Sequence, residues 1–303
     1  MGTMRVTQRI LVTRAITNLQ DQQKRILNLQ TQLATGLSVN SPSDDPINAR
    51  RAVSIRTLVA RNQQYIDNIE GLRSSFRESQ TVIETTVEDL RRARELTLQG
   101  SNSTNSQAQR DQIALEVNQI LENVLQSSNH QTDNRHIFAG TRTLAEPFTA
   151  TRDANGDITA VTYVGNTEDI NTTLADGVTV PVSLDGNEVF QADQDIFAML
   201  IDIRDNLRSG DLAGLQTNLG ELNTGQSQLL DGLARVGSLE NRAERISSDT
   251  DNFNFQLEDE LSTAIEADFA EVTVSLNAQS NAFQAALNAA ARVIQPSLLD
   301  FIG

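Results

Sequence analysis

The compact set of potential metal ligands in this sequence is His130, Asp133 and His136, each three positions from the next. The spacing would place His130 and Asp133 on one face of a helix, but three ligands so spaced match no established zinc site. The helix is also expected to fray near Asn134. We therefore predict an ordinary helix end and no metal. The sequence contains no Cys, which excludes thiolate ligands and disulfides.

Two acidic stretches could also carry chemistry. Asp153–Asp157 superficially resembles a calcium loop, but its sixth position is Ile158 where an EF-hand needs Gly, and its twelfth is Val164 where Glu is needed. Glu258–Glu260 predicts a solvated helix face with some pairing to basic residues from the N-terminal segment. No phosphate-binding loop, Ser-His-Asp set or dinucleotide fingerprint occurs. The sequence therefore predicts no catalytic residues, no cofactor and no enzyme.

The distribution of charge limits the partners. The 303 residues carry a net charge of −16, with +6 on residues 1–61 and −18 on residues 142–303. A negative surface repels phosphate backbones, so nucleic acid is an unfavourable partner, whereas the two ends of the chain should attract each other. Since no apolar stretch approaches the length of a membrane span or a signal-peptide core, we expect no membrane insertion and no cleaved signal peptide.

A long helix is predicted for the N-terminal part, because apolar residues recur every seven positions. Two series follow this step: Val12, Leu19, Ile26 and Leu33, and a companion series of Ile16, Gln23, Gln30 and Leu37. Gly36 offers a C-terminal cap. After a polar loop, Asp45 is a natural N-cap and Pro46 a favourable first residue for a second helix.

The C-terminal part repeats the same pattern. Its two series are Phe269, Leu276, Phe283 and Ala290, and Val272, Gln279, Ala286 and Val293. We expect the helices from the two ends to meet along these apolar seams. Because so thin a pair would be marginal alone, its free face should pack on other subunits; the alternative is a solvated two-helix stalk. The predicted assembly-interface residues are Val12, Leu19, Ile26, Leu33, Phe269, Val272, Leu276, Phe283 and Val293.

The middle of the chain differs in residue composition and periodicity. From about residue 141 to 190 helical periodicity vanishes, and Thr, Val, Gly, Asp and Asn dominate. The dipeptide Asn155-Gly156 between two β-prone runs favours a hairpin with a type I′ turn. The fold class is therefore mainly α with an inserted small β domain. The expected divisions are terminal coiled-coil segments 1–40 and 265–303, a central helical bundle domain 41–140 and 191–264, and a β domain 141–190.

Several short stretches carry a resemblance to known proteins: Gln32–Leu37, Asn40–Pro46, Ile137–Thr141 with Pro147–Phe148, Asp185–Phe190, Ala285–Leu287 and Ser297–Phe301. Together they resemble the flagellin-type axial proteins of bacterial flagella, and among these most closely the hook-filament junction proteins. The Ser-Asp-Asp loop is shared with filament flagellins, whereas the Ile-Phe-Ala-Gly-Thr block and the Leu-Leu-Asp-Phe ending favour the junction type.

The resemblance implies flagellin-like long helices and a structural role in the extracellular flagellum. It implies a ring of identical subunits, with terminal helices in the inner tubes and the β domain outside, joining hook to filament. The implied partners are other copies of the chain, the preceding hook-associated junction protein, flagellin and a cytoplasmic export chaperone. It also implies type III export without a cleaved signal peptide. A filament flagellin and a secreted adhesin or binding module remain the alternatives.

Overall fold

The computed structural model describes the backbone of residues 2–294 and the side chains of residue 10 and residues 12–291. Helices dominate this part of the chain. They are α1 (Gly2–Thr35), α2 (Pro46–Gly100), α3 (Gln107–Ser128), α4 (Gly186–Phe190), α5 (Ile196–Ser209), α6 (Leu212–Ile265) and α7 (Phe269–Ile294). This confirms the predicted class, mainly α with long helices and a small inserted β region.

The strands form three separate antiparallel pairs: β1 with β2, β3 with β4, and β5 with β6. They are β1 (Gln131–Thr132), β2 (Arg135–His136), β3 (Phe148–Arg152), β4 (Ile158–Tyr163), β5 (Asn171–Ala175) and β6 (Val178–Pro181). The last four lie within the predicted β segment, and the first pair precedes it.

The contacts divide the chain into two compact units. The terminal unit contains the described residues up to Arg61 and from Phe253 onward, and the central unit is Asn62–Asn252. Both α2 and α6 contribute residues to each unit. Whether 1–40 with 265–303, and 141–190, behave as separate domains stays a prediction.

Local chemistry sets the helix ends around the first loop. Gly36 adopts a φ of 74°, and its N–H donates to Gln32 O at 2.8 Å, which closes α1. Asp45 caps α2 because its Oδ1 accepts the N–H groups of Ile47 at 2.9 Å and Asn48 at 3.0 Å. Both hydrogen bonds lower the pKa of Asp45, and the bond from Asn48 has the larger effect, followed by that from Ile47. Both predicted caps are confirmed.

The central unit has a core built from helices and strands together. Phe148 on β3 is buried, and its ring centroid lies 5.4 Å from Phe190, 5.1 Å from Phe197 and 5.2 Å from Tyr163. Ring pairs at this spacing add to the free energy gained by burying their area. Apolar residues of β3 to β6 thus belong to one cluster with α2, α3, α5 and α6. The inserted strands are therefore part of this core.

The predicted type I′ turn at Asn155-Gly156 is wrong, although the hairpin itself is present. The loop runs from Asp153 to Asp157, and of the dipeptide only Gly156 has a positive φ, 91°. A type I′ turn needs positive φ at both central residues. The cause is Asp153, whose Oδ1 accepts the N–H groups of Asn155 and Asp157 at 2.9 Å each, which stabilises a longer loop.

The three residues considered as metal ligands surround a tight turn that joins β1 to β2. Helix α3 ends at Ser128, earlier than the expected fraying near Asn134. Asp133 and Asn134 have φ values of 51° and 61°, so this two-residue connection has the positive-φ pair that was expected at the later hairpin. In the described part of the chain, no group of three His, Cys, Asp or Glu residues could hold a metal ion.

His136, at 4% exposure, is buried for a structural reason. Its Nδ1 lies 2.8 Å from Asn129 O, which can only accept, so this nitrogen carries the hydrogen. Its Nε2 lies 2.7 Å from the Gln131 side-chain amide nitrogen, whose hydrogen it can accept in the neutral tautomer. Both ring nitrogens are therefore occupied by the chain itself.

Asp89 on α2 carries a carboxylate oxygen, Oδ2, that is buried and has no hydrogen-bond partner among the described residues. Burial raises the pKa of this carboxyl above its ordinary value. The folded protein therefore binds a proton more readily than the unfolded chain does, and Asp89 weakens folding above the folded-state pKa. That penalty disappears as the pH falls through the folded pKa toward the unfolded value.

Replacing Asp89 by Asn should accordingly raise the free energy of unfolding at pH 7, by less than about 1 kcal/mol because the group is partly exposed. The gain should shrink when urea unfolding is repeated at acidic pH, where the native carboxyl is protonated. Glu88→Gln, on the adjacent exposed carboxylate, is the matched control. A less stable Asn variant at pH 7, or an equal gain at both pH values, would contradict this explanation.

Candidate assembly interface

The terminal unit is organised by a joint between the end of α1 and the start of α7. Ser38 N–H donates to Ile265 O at 2.7 Å, and Ala267 N–H donates to Gly36 O at 2.9 Å. α1 ends at this joint, α7 begins there, and the two helices contact each other. They therefore run side by side in opposite directions, which confirms that the helices from the two ends meet.

Beside the joint lies a small apolar cluster of Ala52, Ala264 and Ile265, with partly buried Leu37, Val39 and Leu261 packed against it. An ion pair accompanies it, because Arg51 Nε lies 2.8 Å from Glu260 Oε1. One member of the acidic run Glu258–Glu260 therefore forms an ion pair, but its partner Arg51 lies on α2 and not in the terminal segment 1–40. Both side chains are largely exposed, so the pair contributes little stability.

The inward face of α1 confirms the main predicted series and corrects the companion series. Half-buried residues with alternating steps of three and four are Val12, Ala15, Leu19, Gln22, Ile26, Leu29 and Leu33. Ile16 is 45% exposed, and Gln23 and Gln30 are exposed as well. The predicted companion series, with steps of four and then three, is an equally regular seam, so periodicity alone did not distinguish it from the observed one.

The inward face of α7 follows the same alternation. Its buried or half-buried seam residues are Val272, Leu276, Gln279, Phe283, Ala286 and Ala290. Phe269 is 57% exposed, and its ring lies at the joint, 3.7 Å from where a Cβ on Gly36 would be. The side chain of Val293 and the stretch Ser297–Phe301 lie outside the described residues. A role in assembly stays a prediction for all nine proposed interface residues.

The terminal unit also exposes many large apolar side chains on its outer faces. Exposed members in this unit are Ile10, Ile16, Leu27, Ile47, Val53, Phe253, Phe255, Phe269, Val274 and Leu287. In addition, α7 carries no charged residue from Val272 to Ala291. Apolar and uncharged surface can be buried against another protein without the cost of desolvating charge. The outer face of α7 is therefore chemically suited to protein contacts, whereas that of α1 mixes apolar side chains with exposed charges such as Arg14 and Lys24.

The other chemical possibilities receive no support from the described residues. No helix in that part of the chain combines the length and apolar character that crossing a membrane requires. The buried polar groups His136 and Arg204 are bonded to the chain itself. The arrangement provides helix seams and apolar faces, which are suited to association with other protein chains.

Comparison with known proteins identifies relatives of this architecture. The family described as the bacterial flagellin N-terminal helical region matches residues 6–143, slightly under half of the chain. Flagellar hook-associated protein 3 of Salmonella typhimurium is 28% identical over 146 residues, 48% of this chain and 46% of the relative. Its Escherichia coli counterpart is 25% identical over 190 residues, 62% of this chain and 57% of the relative. The chain thus spans about half the length of the curated relatives it matches.

Solved structures share the fold. Bacillus cereus FlgL superposes with a TM-score of 0.59 at 23% identity, covering 69% of this chain and 99% of that chain. The Legionella pneumophila flagellar hook associated protein-3 gives 0.61 at 14% identity, covering 69% and 97%. At such identities the likeness concerns the fold. Together with the family match, it confirms the resemblance to the flagellin-type axial proteins.

Proposed function

We propose that this chain is a structural component of the bacterial flagellum that joins the hook to the filament as a ring of identical subunits. The main support is the terminal unit, where two helices share one seam, both expose apolar side chains, and α7 carries no charged residue from Val272 to Ala291. The alignments to two proteins named flagellar hook-associated protein 3 support the hook-associated assignment. The role is structural, and no catalytic step is part of it.

The physical basis of the ring is a heterologous contact repeated around an axis. In such a contact, one surface of a subunit packs on a different surface of the next, and the arrangement closes when the rotation allows. The exposed faces of α1 and α7 supply the apolar area, and the uncharged stretch of α7 avoids burying unpaired charge. In this proposal, segments 1–40 and 265–303 form the inner tubes and 141–190 faces outward.

The proposed partners follow from the same position in the flagellum. They are the preceding hook-associated junction protein on one side, flagellin on the other, and a cytoplasmic chaperone that covers the C-terminal helix before export. An apolar helix face that is buried only after assembly needs such protection while the chain is a monomer. The proposed place of the assembled protein is the extracellular flagellum.

A filament flagellin is the second candidate, favoured by one observation. The flagellin of Salmonella rubislaw is 32% identical over 144 residues, which covers 44% of this chain and 26% of the relative. The two candidates differ in abundance, because a filament contains vastly more subunits than a junction. Quantitative mass spectrometry of sheared flagella, with flagellin as the internal standard, separates them.

Deletion of the encoding gene tests the proposed function in cells. We expect hooks without filaments and flagellin shed into the medium, with both defects reversed by the intact gene. The protein should also be a minor component of purified flagella. Normal filaments in the deletion strain, or an abundance equal to that of flagellin, would overturn the junction assignment.

A further inference from the structure

The terminal unit carries opposite charges on two of its helix segments. At the start of α2, residues 46–61 contain four Arg and no Asp or Glu. From the end of α6 into α7, residues 253–291 contain six acidic residues and no Lys or Arg. Among the described residues of this unit, the only ion pair is Arg51 with Glu260. The other charged groups therefore have no partner of opposite sign within their own copy.

The basic charges of α2 lie around an exposed apolar side chain. Ala52 and Ile55 are buried and define the inward side of this part of the helix. Val53, 63% exposed, points away from that side, because each residue advances an α-helix by about 100°. Arg50 and Arg56 are exposed three residues before and after Val53, which is the spacing of neighbours on a helix surface. We call Arg50, Val53 and Arg56 the basic patch.

The acidic charges of α6 lie beside a second exposed apolar side chain. Leu257 and Ala264 are buried and define the inward side of this part of α6. Phe255 is 74% exposed on the other side of the helix, two residues before Leu257. Glu258 and Asp259 are exposed three and four residues after Phe255, so they are its neighbours on the helix surface. We call Phe255, Glu258 and Asp259 the acidic patch.

The two patches of one copy face away from each other. Ala52 of α2 and Ala264 of α6 belong to the same small apolar cluster, so the inward sides of the two segments meet there. Each patch lies on the side of its helix away from that cluster, and none of the four charges in the patches forms an ion pair within the described residues. A contact between the patches therefore requires two copies.

A second copy of this chain supplies the chemistry that each patch lacks. Packing Val53 of one copy against Phe255 of another removes two exposed apolar side chains from water, while the flanking Arg and acidic side chains pair across the contact. Two basic patches, or two acidic patches, would instead repel each other. The charges thus favour contact between unlike surfaces, which is the type of contact that can continue around a ring.

We propose that the basic patch of one copy docks on the acidic patch of the next copy. The proposal rests on the proposed function and deepens it, because it assigns surfaces by which identical subunits join. The charged groups are exposed, so salt should screen their attraction and weaken the contact.

Disulfide trapping between copies of the purified full chain tests the proposal, and the absence of native Cys gives a clean background. One chain carries Val53→Cys and the other carries Phe255→Cys, both at exposed positions. We expect the mixture to form disulfide-linked dimers several-fold faster than either variant alone, and this excess to fall at high salt. No excess in the mixture over the single variants would overturn the proposal.

Charge reversal asks whether the two patches recognise each other. Arg50→Glu/Arg56→Glu, added to the chain with the α2 cysteine, should remove the excess because both surfaces are then acidic. Adding Glu258→Arg/Asp259→Arg to the other chain should restore the excess, since the charges are opposite again. Failure of the second reversal to restore cross-linking would contradict the pairing of these patches.

The matched control is Arg77→Glu/Arg94→Glu, which makes the same change in net charge at exposed α2 positions outside the basic patch. Arg77 also resembles Arg50, because the Nε of each donates to the carbonyl oxygen four residues earlier. This control should keep the excess, and an equal loss in the control would overturn the proposal. Trapping uses the isolated chain, whereas gene deletion tests the junction role. A deletion strain without filaments, together with no excess cross-linking, would retain the proposed function and reject this contact.

Discussion

Replacing Phe283 with Asp should abolish filament attachment while the central unit stays folded. Phe283 lies half-buried on the inward face of α7, which contacts α1. An ionised carboxylate on this apolar seam loses part of its hydration and gains no partner, a cost that a thin helix pair cannot absorb. Because Phe283 belongs to the terminal unit, urea unfolding of Asn62–Asn252 in the purified variant should be nearly unchanged.

The phenotype in cells should be specific. We expect cells with this variant to build hooks and export flagellin, but to shed it as abundant extracellular monomer, so that motility is lost without a block in export. Phe283→Leu is the matched control, because it changes the same side chain but keeps the seam apolar, so we expect it to retain filaments. Normal swimming with full-length filaments in the Phe283 variant would show that this side chain is not buried in an assembly interface.

The second large effect is expected at Arg204, which is 2% exposed in the central unit. Its Nη1 donates to Ile158 O on β4 at 2.8 Å and to Asn118 Oδ1 on α3 at 3.1 Å, and its Nε donates to Asp205 Oδ1 at 2.7 Å. One buried guanidinium thus joins the inserted β region to two helices. Removing it leaves the buried carbonyl of Ile158 and the partly buried amide oxygen of Asn118 without their donor.

Arg204→Met should therefore lower the free energy of unfolding of the central unit by about 2–4 kcal/mol, measured by urea denaturation. Arg208→Met is the comparison, because Arg208 Nη1 lies 2.6 Å from Asp157 Oδ2 in a more exposed ion pair. That pair lowers the pKa of Asp157, chiefly through its hydrogen bond, yet its loss should cost only about 0–1 kcal/mol. Equal losses of unfolding free energy in the two variants would contradict the structural role assigned to Arg204.

Much of the helical architecture could be predicted because it depends on periodicity and on local capping. The seven-residue recurrence at Leu19 and Ile26, and at Leu276 and Phe283, places those residues on one face of any α-helix. Gly36 closes a helix by a backbone conformation that its own lack of a side chain permits. These signals act within a few residues, so they survive in whatever tertiary structure follows.

The errors occurred where two local rules competed or where a choice depended on a partner helix. At Asn155, Asn-Gly favours a two-residue turn, but the carboxylate of Asp153 accepts two backbone N–H groups and stabilises a longer loop instead. On α1, periodicity alone allowed Gln23 or Gln22 to be the inward polar residue. It is the packing of α7 against α1 that places Gln22, and not Gln23, on the inward face. The exposed position of Phe269 likewise depends on the joint and has no periodic signal.

The central claim is tested most directly by immunogold electron microscopy of intact flagella, with an antibody raised against this protein. The account predicts gold at a single position on each flagellum, at the boundary between hook and filament, and no label in the deletion strain. Label distributed along the filament, or absent from the flagellum of a strain that makes the protein, would contradict it.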